Sequence, residues 1–181
     1  MTRAVLIDRD GTILAYRPHL TELAEVALIP HVATALRRLR EAGYFLAVVT
    51  NQSVIGRGLA TVESVGEIHK KMLDLLALEG ATVDAIRVCP HRPDAGCRCR
   101  KPLAGMVDSL AEEHGFDARE AVVVGDNETD IALAHTVGCA SVLVRTGLGD
   151  EMLAKGPVAC DHVAVDLDAA ATWILARDAR R

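Results

Sequence analysis

Two pairs of aspartates are spaced so that they could act together. Asp8 and Asp10 stand two residues apart at the end of the apolar run Ala4-Val5-Leu6-Ile7, and Asp126 and Asp130 follow the equally apolar Ala121-Val122-Val123-Val124. If the two runs are neighbouring strands, the four carboxylates converge. Negative charge so concentrated calls for a hard divalent cation with oxygen ligands, most simply Mg2+. With that charge offset, Asp8 is suited to attack a phosphoryl group in line, and Asp10 to donate and later remove a proton. Thr50, at the tip of a further apolar run, can offer a hydroxyl and a backbone N–H to phosphate oxygens, and Lys101 supplies the positive charge a transferring phosphoryl group needs. The plainer reading of Asp8-Arg9-Asp10-Gly11-Thr12 is a strand-to-loop turn, where Asp and Gly are common. That reading does not account for Thr50, Lys101 and Gly125-Asp126-Asn127-Glu128-Thr129-Asp130 each falling after a strand or at a helix start.

A second constellation lies just before Lys101. Cys89-x-His91-x5-Cys97-x-Cys99 offers three thiolates and an imidazole, a complete tetrahedral set for structural Zn2+. Pro90, Pro93 and Gly96 make the segment a poor helix or strand, so an ion would replace a hydrophobic core there. The alternative is a solvent loop that happens to carry Cys and His, but two close pairs of such residues rarely coincide. The loop runs directly into Arg100-Lys101-Pro102, so the zinc would also fix where Lys101 sits.

These residues need a frame. Short β-branched runs at Ala4–Ile7, Phe45–Val49, Ala85–Val88, Ala121–Val124 and Ser141–Val144 alternate with helix-period segments near His31–Ala42, Val62–Glu79, Gly105–His114, Thr129–Val137 and Asp168–Ala179. The alternation predicts an α/β fold, a parallel sheet covered by helices on both faces. Gly43, Gly80, Gly115 and Gly138 fall where helix C-caps belong. In such sheets ligands gather beyond the carboxyl ends of the strands, where the aspartates, Thr50 and Cys89 all stand. At 181 residues, without a linker or an internal repeat, the chain reads as one domain, 1–181.

Composition narrows the partners. A net charge of -5 and a mere five aromatic residues, one Trp, two Tyr and two Phe, argue against nucleic acid and favour a small phosphorylated metabolite. No run approaches the roughly 18 apolar residues of a membrane span, and no signal-peptide pattern opens the chain, which predicts a cytoplasmic protein. Clustered cysteines in a reducing compartment suggest metal before disulfides. Cys139 and Cys160 read as ordinary thiols. No long apolar stripe demands a second copy, so a monomer is expected.

The four motifs, Asp8-Arg9-Asp10-Gly11-Thr12, Thr50, Lys101 and Asp126 to Asp130, resemble those of the haloacid-dehalogenase (HAD) superfamily of phosphatases over nearly the whole chain. The resemblance implies a Rossmann-like sheet of order 3-2-1-4-5, an aspartyl-phosphate formed on Asp8, and Asp10 as general acid/base. It also implies Mg2+ held by the Asp8 carboxylate, the Asp10 backbone carbonyl and Asp126, with Asn127 and Asp130 in support. About forty residues between the first two motifs and about fifty between the next two leave no room for a large cap domain. The zinc-type loop, together with Thr50-Asn51-Gln52-Ser53, further resembles the heptose bisphosphate phosphatases and the histidinol-phosphate phosphatases. In the heptose branch, segments equivalent to Ser53–Arg57 and to Arg100 meet the sugar or its second phosphate. Arg57 and Arg100 would suit a bisphosphate, although Arg57 also reads as a solvated loop charge. Three departures fall in regions that read the substrate: Val54 and His31 stand where relatives commonly carry Gly, and Tyr16-Arg17-Pro18-His19-Leu20 is unlike the usual wording.

Arg9 reads as an outer or surface group, and His19, His69, His114, His135 and His162 as scattered residues without assigned partners. Histidinol-phosphate phosphatase is the alternative activity, and a nucleic-acid 3′-end phosphatase is disfavoured by the charge. A non-catalytic phospho-acceptor module is the alternative class. It is disfavoured because its acceptor Asp would follow the third strand, where this chain has Cys89, and because Asp10 can activate water against the acyl phosphate.

Overall fold

The apolar runs become the rungs of a parallel sheet. The computed structural model describes residues 2–179. Its strands are β1 (Arg3–Ile7), β2 (Tyr44–Asn51), β3 (Ala85–Cys89), β4 (Val122–Gly125), β5 (Ala140–Val144) and β6 (His162–Ala164), in the order β3-β2-β1-β4-β5-β6. Every pairing is parallel, and the register sets Ile7 beside Val48 and Val124. The expected order of five strands is therefore present, extended by β6 at one edge. His162-Val163-Ala164 is too short to stand out in the sequence, and Val163 is partly exposed at this edge.

Among the described residues, six α-helices fill the connections and a seventh follows β6: α1 (Val32–Glu41), α2 (Ser53–Gly56), α3 (Val62–Leu78), α4 (Gly105–His114), α5 (Glu128–Val137), α6 (Gly149–Lys155) and α7 (Leu167–Asp178). Alternate residues of each strand point to opposite faces. Val5, Ile7, Leu46 and Val48 pack under Leu36 and Leu39 of α1, Ile68 and Met72 of α3, and Ile174 of α7. Ala4, Leu6, Ala47 and Val49 pack under Val107 and Leu110 of α4 and Leu133 of α5. With both faces covered, each fully buried aliphatic side chain contributes about 1.5–3 kcal/mol relative to exposure. The short α2 and α6 lie outside the expected helices, because four and seven residues carry too little periodicity to read.

Capping explains where the long helices start. Thr61 and Ser64 form a reciprocal capping box at α3, and Asn127 and Asp130 form one at α5. Gly43, Gly80, Gly115 and Gly138 all take positive φ just past helix ends, as expected. His31 takes the N-cap position of α1 at φ 67°, a left-handed conformation that favours glycine, so this chain meets the turn into α1 with strain. No large insertion interrupts the connections; the segments 8–31 and 90–104 fold as loops over the carboxyl edge of the sheet.

Candidate active site

The carboxyl ends of β1, β2 and β4 meet at one point. Asp8 follows β1, and its N–H donates to the Val124 carbonyl at 2.9 Å, which sets it alongside the end of β4. Asp8, Asp126 and Asp130 are all buried, and each offers a carboxylate oxygen within 4.8 Å of the other two. Burial comes first among the causes that push Asp8 up to about 8; Lys101 opposes it, and Asp130, Asp126 and Asp10 add to it. Asp126 is pushed up to about 7, again by burial first, against an N–H from Leu148. Two buried acidic groups that resist ionisation, Asp8 and Asp126, with the Asp130 carboxylate beside them, are a set of hard oxygen donors short of positive charge, and a divalent cation fits that need. The loop packs tightly: Gly11 at φ 84° and Gly147 at φ 59° each stand where an added Cβ would lie 2.0 Å from the Asp126 carboxylate.

Lys101 reaches in from the loop after β3. Its Nζ donates to Asp8 Oδ1 at 2.7 Å, to Asp130 Oδ1 at 2.6 Å and to the Val49 carbonyl at 2.8 Å. Burial alone would lower its pKa, but Asp130 and Asp8 outweigh it and the ammonium is held charged above its ordinary range. Asn51 brackets the Lys101 backbone, accepting from its N–H at 3.0 Å and donating to its carbonyl at 3.2 Å. The second oxygen of Asp130 accepts from the Asn127 N–H, so Asp130 caps α5 and holds Lys101 at once.

The spacing predicts that all four carboxylates converge, but the Asp10 carboxylate does not join the other three. It turns to Arg9, whose Nε and Nη2 donate to both of its oxygens at 2.8–3.2 Å, and to the Gln52 amide at 2.8 Å. The same amide donates to Thr50 Oγ1 at 2.8 Å. Arg9 is therefore no surface group: it has no exposure to solvent, and its Nη1 meets His69 Nε2 at 3.0 Å. The signal for His69 was its position on α3, in register with the buried Val65, Met72 and Leu76.

A cavity of about 230 Å3 opens over these groups. Its lining includes Asp8, Asp10, Thr50, Asn51, Gln52, Ser53, Arg100, Lys101, Asp126 and Asn127, and adds Tyr16, Arg17, His19 and Val54 from the segments that depart from the usual wording. Arg57 is exposed and is not part of that lining. A larger hollow of about 450 Å3 beside α5 and α6 shares Asn127 and Leu148 but has none of the converging carboxylates, Thr50 or Lys101.

Cys89, His91, Cys97 and Cys99 bring their ligand atoms within 4.8 Å of one another. Cys89 Sγ lies 3.7 Å from both Cys97 Sγ and His91 Nδ1, and His91 Nδ1 lies 3.2 Å from Cys99 Sγ. The ordinary Zn–S and Zn–N lengths put the edges of a tetrahedral site at about 3.6–3.8 Å; two of these separations match that range and the third is shorter, and the four donors are of the kind that could hold a zinc ion. The Gly56 N–H donates to the Pro90 carbonyl at 2.9 Å and ties this loop to α2.

A parallel sheet in this order, ending in converging aspartates with Thr50 and Lys101 beside them, defines a HAD-like hydrolase. The profile of the HAD-hydrolase-like family matches residues 98–170. A D-glycero-D-manno-heptose-1,7-bisphosphate 7-phosphatase of Thermosynechococcus vestitus is 39% identical, with 94% of each chain covered. The D-glycero-beta-D-manno-heptose-1,7-bisphosphate 7-phosphatase of Pseudomonas aeruginosa is 41% identical over 86% of this chain and 88% of its own. Among solved structures, the D,D-heptose 1,7-bisphosphate phosphatase of B. bronchiseptica, complexed with magnesium and phosphate, superposes with a TM-score of 0.89 at 38% identity, covering 98% of this chain and 99% of its own. The chain belongs to this family of heptose bisphosphate phosphatases, and it is a phosphatase.

Proposed function

We propose that the protein removes the 7-phosphate of D-glycero-D-manno-heptose 1,7-bisphosphate through an aspartyl-phosphate on Asp8. The observation that carries this reading is the Asp8–Lys101–Asp130–Asp126 cluster at the floor of a cavity whose rim carries Arg100, which pairs with no carboxylate among the described residues. The names of the relatives support the substrate.

Bound Mg2+, held by Asp8, Asp126 and the Asp10 carbonyl, would offset the charge of the carboxylates and of the phosphate. An Asp8 carboxylate oxygen attacks phosphorus, the bond to the sugar oxygen breaks, and Asp10 passes that oxygen its proton. Asp10 then takes a proton from water, the resulting hydroxide attacks the acyl phosphate, and phosphate leaves with Asp8 restored. Thr50 and Lys101 donate to the oxygens of the transferring group, Asn51 fixes Lys101, Gln52 and Ser53 line the sugar side, and Asn127 and Asp130 anchor the end of β4. Arg100 faces the second phosphate, with Arg57 further out. Zn2+ on Cys89, His91, Cys97 and Cys99 would brace the loop that carries Arg100 and Lys101. The reading includes a cytoplasmic monomer, with residues 1–181 as one domain. Among the described residues no helix is long and apolar enough to cross a membrane.

The test is Mg2+-dependent phosphate release from both anomers of the heptose bisphosphate, from histidinol phosphate and from several sugar mono- and bisphosphates. Preference for a heptose bisphosphate is the expected result. Preference for histidinol phosphate would reassign the substrate, and no release from any ester would remove the reading.

A further inference from the structure

Arg9 is a full positive charge with no solvent exposure, one residue from the nucleophile. A buried guanidinium is unfavourable unless its donors are taken up. Two arms are taken up by Asp10, whose oxygens both receive hydrogen bonds from Nε and Nη2. The third arm, Nη1, meets His69 Nε2 at 3.0 Å. A guanidinium can only donate, so Nε2 must accept, which makes His69 neutral with its proton on Nδ1. Burial first, and the charge of Arg9 second, hold His69 down to about 4, consistent with that neutral ring. Gln52 closes the far side by donating to both Asp10 and Thr50. A continuous line of hydrogen bonds thus runs from α3 through Arg9 and Asp10 to the phosphate-binding Thr50.

We infer that His69 is a positioning residue for the acid/base step: by accepting from Nη1 it fixes the plane of the Arg9 fork, and the fork fixes the Asp10 carboxylate. The inference rests on the phosphatase reading and on the acid/base role proposed for Asp10. Proton transfer depends on the angle and reach of the acid, so a fork free to swing would slow turnover without weakening substrate binding. If His69 only satisfied a buried donor, its loss would cost stability and leave kcat alone.

The experiment compares His69→Leu, which fills the space without an acceptor, with His69→Gln, whose amide oxygen can replace Nε2. Both are assayed with the phosphomonoester that the wild type hydrolyses best, and kcat, KM and melting temperature are recorded. We expect His69→Leu to lower kcat roughly tenfold, a modest part of the ~10²–10⁴ that general acid–base catalysis supplies, with KM unchanged and His69→Gln restoring most of the loss. If His69→Leu does not fold, Arg9→Lys carries the test, since it keeps the buried charge but not the planar fork, and the same fall in kcat at constant KM is expected. Full kcat in His69→Leu or in Arg9→Lys overturns the inference, as does a loss in His69→Leu that His69→Gln does not repair. The wild type separates the two readings: if it hydrolyses no phosphomonoester, the phosphatase reading falls and takes this inference with it, whereas wild-type turnover with neutral variants removes the inference alone.

Discussion

Lys101 holds Asp8 directly: Nζ of the one lies 2.7 Å from Oδ1 of the other, and both are buried. The cation that would meet the transferred phosphate already pins the proposed nucleophile, and Asp130 completes the grip at 2.6 Å. Lys101→Met should therefore remove two functions together. Turnover should fall by at least ~10²-fold, the scale of losing one preorganised donor. Stability should fall by about 3 kcal/mol, because a cation leaves a buried carboxylate cluster. Steady-state kinetics and urea denaturation of the same preparation measure both, and a variant that kept wild-type kcat would sever Lys101 from the phosphate.

Asp8→Asn retains the shape of the side chain and its oxygen acceptor but not its nucleophilicity. It should abolish phosphate release while the circular dichroism spectrum stays native. Appreciable turnover would mean that another group attacks phosphorus.

The raised carboxylates give the metal a pH signature. Asp8 and Asp126 sit at about 8 and about 7 in the fold against an ordinary 3.8. Groups raised in the folded state add stability that is complete below their unfolded pKa and disappears as pH climbs through the folded values. For these two groups the loss spans from near 4 to near 8. The metal-free protein should thus lose this contribution across that window, while Mg2+, which needs the ionised ligands, binds better as pH rises. The rise in melting temperature on adding Mg2+ should be larger near pH 8 than near pH 5.5. An equal rise at both pH values would contradict the buried charge cluster.

Much of this site could be read from the sequence because its chemistry is local. Asp8, Asp10, Thr50 and Asp126 each follow an apolar run, and parallel strands bring such positions together by topology alone. The Cys and His spacing carried its own geometry. The orientation of side chains was not legible. Asp10 turns away from the other carboxylates because Arg9 and Gln52 supply donors, and nothing in the spacing says which way a carboxylate rotates. His69 lies sixty residues from Arg9, so only the packing of α3 against the sheet pairs them. Strand β6 and helix α2 escaped notice because elements of three or four residues hold little more than one period of pattern.

Two anchors place Lys101, and they can be separated. Cys97→Ser should reduce zinc content and melting temperature and lower kcat as well, since the loop delivers Lys101. Asn51→Ala breaks the two hydrogen bonds to the Lys101 backbone without touching the sulfurs. It should lower kcat roughly tenfold, given the sensitivity of catalysis to small misplacements, and leave zinc stoichiometry unchanged. Metal analysis beside kinetics reads the difference. A Cys97→Ser protein with full zinc and wild-type melting would remove the zinc assignment.

The two candidate cations for a second phosphate differ in where they stand. Arg100 lines the cavity, is half-buried, and donates only to the His91 carbonyl at 3.3 Å. No carboxylate pairs with it among the described residues, so its charge is available to a ligand. Arg57 is exposed beyond the cavity lining. A charge-assisted hydrogen bond to phosphate is worth about 1.5–3 kcal/mol, so Arg100→Ala should raise KM for a sugar bisphosphate by roughly tenfold or more. The matching monophosphate lacks the partner, and its KM should change little. Arg57→Ala should raise the bisphosphate KM much less. The comparison needs four KM values from two variants and two substrates, each set against wild type. If Arg100→Ala harmed both esters equally, Arg100 would be supporting Lys101 or the zinc loop instead of reading the second phosphate, and a larger effect at Arg57 would shift the second phosphate outward along α2.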